Sequence, residues 1–106
     1  MPKYLIEASY TADGAKGLLK DGGSKRRQAA EQAIASAGGT LEAFYFAFGE
    51  RDAFIVVDAP DHATVAAASI AVNAAGGVHA KTVVLLTPEE MDAASKKGVK
   101  YSPPGQ

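Results

Sequence analysis

Apolar and polar positions alternate through KYLIEASY, residues 3–10. Tyr4, Ile6, Ala8 and Tyr10 fall on one side and Leu5, Glu7 and Ser9 on the other, the period of a strand. Thr11-Ala12-Asp13-Gly14 ends it, and Thr11 is placed to cap a short helical turn through Leu18, Leu19 and Lys20. Asp21-Gly22-Gly23 breaks that turn. Ser24 is read as the cap of a longer helix over Lys25–Ala37, in which Ala30, Ala33, Ile34 and Ala37 form one apolar stripe. Gly38-Gly39 supplies its stop.

Between Leu41 and Pro60 the chain reads LEAFYFAFGERDAFIVVDAP. Two apolar runs of strand length flank the polar break Gly49-Glu50-Arg51-Asp52, the pattern of a β-hairpin. In the first run, Thr40–Phe48, residues Phe44, Phe46 and Phe48 share one face and Leu41, Ala43, Tyr45 and Ala47 the other. The second run, Ala53–Val57, is apolar throughout, as a strand buried on both faces is. Gly49 is expected to supply a positive φ in the turn. Asp61 caps a helix over His62–Ala75, and Gly76-Gly77 ends it. A last strand is expected from Val78 to Thr87. Thr87, Pro88, Glu89 and Glu90 then open a final helical turn, with Pro at its first position and acids at the positive end of the dipole.

The order β, α, β, β, α, β predicts an α+β, ferredoxin-like fold with a four-stranded antiparallel sheet. Right-handed crossovers put both helices on one face, with the first and third strands central. Residues 1–95 form a single domain and residues 96–106, ending in Pro103-Pro104-Gly105, a polar tail. One sheet face is then left without helices. In the two hairpin strands that face is apolar too, and a bare patch there exceeds the roughly few hundred Å2 that soluble monomers carry. The expected cover is a second copy of the chain, giving a dimeric α/β barrel with twofold symmetry. The helix from Ala63 to Ala75 has no charge, which fits higher assembly through it or cover from the C-terminal segment, and equally a half-exposed helix of good helix formers.

Composition narrows the function more by exclusion than by indication. The 106 residues carry a net charge of −1 and no Cys. Nucleic acid and anionic membrane are therefore not expected partners. Disulfides, thiolate chemistry and Cys-bound metals are excluded, which fits a cytoplasmic protein. The start MPKYLIEASY lacks the apolar run of a signal peptide. No stretch has the ~20 strongly apolar residues of a membrane span.

Two histidines are present, without a metal-ligand spacing. His62 opens a helix beside Asp58 and Asp61, where an exposed polar role is favoured over a carboxylate–His base. His79 opens the last strand and is the better catalytic candidate, together with Tyr10 at the end of the first strand and Asp52 in the hairpin turn. Asp at a strand end more often shapes the turn. Lys25-Arg26-Arg27 after Gly22-Gly23-Ser24 outlines an anion site, but without a full phosphate-binding motif a solvated basic turn is the favoured reading. Tyr4, Tyr10, Phe44, Phe46 and His79 are candidate walls of a pocket for a small apolar ligand, an aromatic stripe being otherwise plain core.

The segment FYFAFGERDAFIVVDAPD (Phe44–Asp61), the later TPEEM and the opening KYLIEASYTADGAKGLLKD together resemble the GYD-domain family of small bacterial proteins. The resemblance runs to Met91. The family's Gly-x-Tyr-Asp turn reads Gly49-Glu50-Arg51-Asp52 here, so Arg51 stands at the Tyr position. The resemblance implies a dimeric α/β barrel, a group whose members include cofactor-free monooxygenases, isomerases, haem enzymes and ligand-sensing domains. Fold alone does not choose among these. The expected function is a homodimeric module for small-ligand binding or assembly, with no cofactor. The alternative is a cofactor-independent monooxygenase or isomerase on a small aromatic substrate, and a weaker third reading is haem binding through His79.

Overall fold

The computed structural model describes all residues, 1–106. The elements are β1 (Lys3–Tyr10), α1 (Ala12–Asp21), α2 (Gly23–Ser36), β2 (Thr40–Phe46), β3 (Ala53–Asp58), α3 (His62–Ala75), β4 (Val78–Leu85) and α4 (Pro88–Ser95). The strands form one sheet in the order β2-β3-β1-β4. Every pairing is antiparallel. This is the expected α+β architecture, with β1 and β3 central. The first crossover holds two helices, because Gly22 at φ 81° turns the chain between them.

Local signals set the helix ends. The Thr11 hydroxyl accepts from the Gly14 N–H and caps α1. The Asp61 carboxylate accepts from the Thr64 N–H at 2.8 Å and caps α3. Thr87 and Glu90 close a reciprocal capping box on α4. Ser24 does not cap α2, which starts at Gly23, two residues before the expected Lys25, without a side-chain cap. A Cβ at Gly14 would overlap the Gly77 carbonyl oxygen, so the start of α1 packs against the loop before β4 at a distance only glycine permits.

The hairpin departs from its expected form in three ways. First, β2 ends at Phe46, because the Ala47 N–H donates to the Asp52 carbonyl and closes the turn. Phe48 lies beyond it and is fully exposed. Second, the positive φ values belong to Gly22, Gly38, Gly76 and Gly105, while Gly49 is not among them. Third, the pairing skips a residue between Leu41↔Val57 and Ala43↔Val56. This bulge at Glu42 moves Leu41 to the face of Phe44 and away from that of Tyr45. Glu42 is free to meet Lys3 at 2.7 Å, and Lys3 also meets Asp58 at 2.9 Å.

Helices α2 and α3 cover one sheet face. Only six residues are buried: Tyr4, Ala8, Ala53, Val57, Ala59 and Val65. Four of them, Tyr4, Val57, Ala59 and Val65, make one cluster that Ile6, Ile34 and Ile55 flank. The opposite face has no helix over it. Register puts Ala43, Tyr45, Phe54 and Val56 there on the hairpin side, with Glu7, Ser9, His79 and Lys81 towards β1 and β4. Leu5, Val83 and Leu85 share this face, so its polar groups gather at the end near Ser9 and His79 and the rest is largely apolar.

Pro88–Gln106 is exposed at every residue, including Met91, Val99 and Tyr101. It extends the molecule to 57 Å in its longest dimension and a radius of gyration of 16.9 Å, against about 13 Å for a compact chain of this size. The C-terminal segment does not cover α3, whose Ile70 is 69% exposed. No helix is long and apolar enough to cross a membrane.

Candidate ligand-binding site

The stripe on α2 is built from Ala29, Ala30, Ala33 and Ile34, and α3 offers Ala68 and Val72. A methyl side chain spans little of the ~10 Å between packed layers. Where these alanines face Ile6, Tyr10, Phe44 and Ile55, the layers do not fill the space between them. The result is a partly open cavity of about 150 Å3 between the sheet and both helices. Its walls are largely apolar, and the polar groups on them belong to Arg26, Ser69 and the hydroxyl-bearing Tyr10. The Ser69 hydroxyl already bonds that of Thr82 at 3.1 Å.

The predicted site residues separate around this cavity. Tyr10 and Phe44 line it. Phe46 lies at its edge, against the position where Gly23 would carry a Cβ, and shares a shallower hollow with Tyr10 and Asp52. Tyr4 is 1% exposed and sits in the core. Its hydroxyl and His62 Nδ1 are 2.6 Å apart. His79 pairs with Ser9 in β4, on the face opposite the cavity, and is exposed. Tyr10 and His79 are thus near neighbours in the sheet that point away from each other.

Asp52 acts as a tie between hairpin and β1. Its carboxylate accepts from the Tyr10 N–H at 2.8 Å, and its own N–H donates to the Ala8 carbonyl at 2.9 Å. Of the predicted α2 stripe, Ala30, Ala33 and Ile34 line the cavity and Ala37 does not, while Ala29 and Ala68 join them; a stripe does not tell a filled interface from a hollow one. Ser69 and Val72 lie in a charge-free helix whose facing direction only the fold defines.

Three ionisable groups are clearly shifted, and none lines the cavity. Hydrogen bonds to Glu42 and Asp58 hold the Lys3 ammonium above its ordinary range. Bonds from the Thr64 backbone and hydroxyl hold Asp61 below its ordinary range. Thr87 does the same for Glu90. These are a surface ion cluster and two helix caps, so the perturbed groups mark structure here and not acid–base chemistry. No group of three or more His, Asp or Glu side chains is placed to hold a metal ion. The cavity presents an apolar lining and carries no nucleophile–base pair.

Among known proteins, the family model described as GYD domain matches residues 4–95. No curated protein and no solved structure matches the chain.

Proposed function

The chain belongs to the GYD-domain family, and from that premise we propose that it is a homodimeric module that binds a small apolar ligand between its sheet and its helices. The cavity of about 150 Å3, with 13 of its 15 lining residues hydrophobic, carries this reading. Apolar pockets with few polar groups are the usual form of small-molecule sites. An engineered void of about this size holds benzene, so a single ring or a short aliphatic chain is the scale of the ligand.

Association of two copies is supported by a different feature. A chain that buries only six residues leaves Tyr45 71% exposed on a sheet face without helices. A second copy laid on that face would bury the apolar side of the hairpin. The charge-free outer surface of α3 offers a route to larger assemblies.

The alternative, a cofactor-independent monooxygenase or isomerase on a small aromatic substrate, would draw on the same cavity. It lacks support from the pair it would use, because Tyr10 and His79 lie on opposite sides of the sheet.

The binding reading is tested with benzyl alcohol, a neutral ring of suitable size, followed by amide NMR shifts. The expected result is a saturable change at Ile6, Ala30 and Phe44 that Ala30→Leu abolishes by filling the space. Absence of any saturable change in the wild-type protein overturns it.

A further inference from the structure

The cavity has one charged wall. Arg26, Ala29, Ala30, Ala33 and Ile34 line it at the spacing of a single helix face. Arg26 is thus the first position of the stripe that α2 turns towards the sheet, and it is half-buried. Its two basic neighbours point elsewhere and have acids of their own. Lys25 lies 3.6 Å from Asp21 and Arg27 3.8 Å from Glu31. No ion pair and no side-chain hydrogen bond reaches the Arg26 guanidinium. Asp52, the acid at that end of the sheet, has its carboxylate on the Tyr10 N–H.

A guanidinium stays charged at any physiological pH. Beside an apolar wall it loses hydration, which costs free energy unless an anion compensates. The chain supplies no such anion. A ligand that matches both features has a small apolar body and one anionic end. A carboxylate meets the guanidinium fork through two parallel bonds. A phosphate monoester would bring a second charge, and the cavity has no second cation for it.

We infer that the cavity takes small apolar monocarboxylates, such as a one-ring aromatic acid or a short fatty acid, with the acid group on Arg26. This rests on the ligand-binding reading above and adds the chemical class of the ligand.

Benzoate and benzyl alcohol share a ring and differ in charge, so calorimetric titration of both isolates the contribution of Arg26. The wild-type protein should bind benzoate at least about tenfold more tightly at low salt, the scale of a hydrogen bond to a charged group. Added salt should narrow the gap. Arg26→Gln should bring benzoate down to the level of benzyl alcohol, so that the ratio of the two affinities falls to about one. Arg26→Lys, which keeps the charge but not the fork, should weaken benzoate alone. Equal binding of the two probes by the wild-type protein, or a preference for benzoate that survives Arg26→Gln, overturns the inference while ligand binding itself stands. If neither probe binds, both readings fall.

Discussion

The Tyr4 hydroxyl and Nδ1 of His62 lie 2.6 Å apart, with the two rings edge to face at 5.6 Å between centroids. Tyr4 is the largest fully buried side chain, and this bond is what allows its polar end to lie in the core. His62→Ala removes the partner and should cost about 0.5–1.5 kcal/mol in urea unfolding. A double-mutant cycle with Tyr4→Phe isolates the bond, because Phe keeps the packing and drops the hydroxyl. A coupling energy of zero would show that His62 contributes nothing through Tyr4.

Asp52 should behave as a structural residue. Asp52→Ala leaves the half-buried Tyr10 N–H without its acceptor and should cost about 1.5–3 kcal/mol, the range for a bond to a charged group. Asp52→Asn keeps an acceptor oxygen and should cost less. Amide exchange at Tyr10 should speed up in the Ala variant and change little in the Asn variant. Unchanged exchange in both would mean that the turn holds without this tie.

Association through the helix-free sheet face predicts a dimer in sedimentation at micromolar concentration. Tyr45→Glu places a charge where Tyr45 and Phe54 pair across β2 and β3. It should yield monomers, while changing the intrinsic stability of the fold by no more than about 0.5 kcal/mol. A wild-type protein that sediments as a monomer contradicts the proposed assembly.

The acid limb of stability should carry the helix caps. Folding lowers the Asp61 carboxyl below its ordinary 3.8 and the Glu90 carboxyl below 4.5. A lowered folded value means stability that is complete above the ordinary value and lost as pH falls through the folded one. The Lys3 ammonium is raised above 10.5, so its contribution is complete below that pH and is lost only as pH rises through the raised value. Melting temperature followed against pH should therefore fall below pH 4.5. Asp61→Asn, which does not titrate, should follow a flatter acid limb. Parallel curves for the two proteins down to pH 2 would remove Asp61 from this account.

Much of this fold is legible in the order of residues, because it depends on neighbours along the chain. Alternation fixes β1 at Lys3–Tyr10, and the Asp61 cap with the Gly76 stop fixes α3 at His62–Ala75. Thr11 and Thr87 cap their helices for the same local reason. The order of elements then leaves little choice of sheet topology. What the chain order does not carry is how distant residues meet. The bulge at Glu42 turns Leu41 to the other face, although the residues there alternate as an ordinary strand would. Asp52 finds its donor 42 positions away at Tyr10. His79 is set apart from Tyr10 by strand pairing, which no local pattern specifies. The run Lys25-Arg26-Arg27 reads as three equivalent cations. Only the rotational phase of α2 against the sheet turns Arg26 to the cavity and leaves its neighbours to Asp21 and Glu31. The alanines of α2 and α3 were plain from the start, but whether they close on the sheet or stand off from it is a matter of layer spacing. That spacing is set by all the packed side chains together, so the cavity exists only at the level of the tertiary structure.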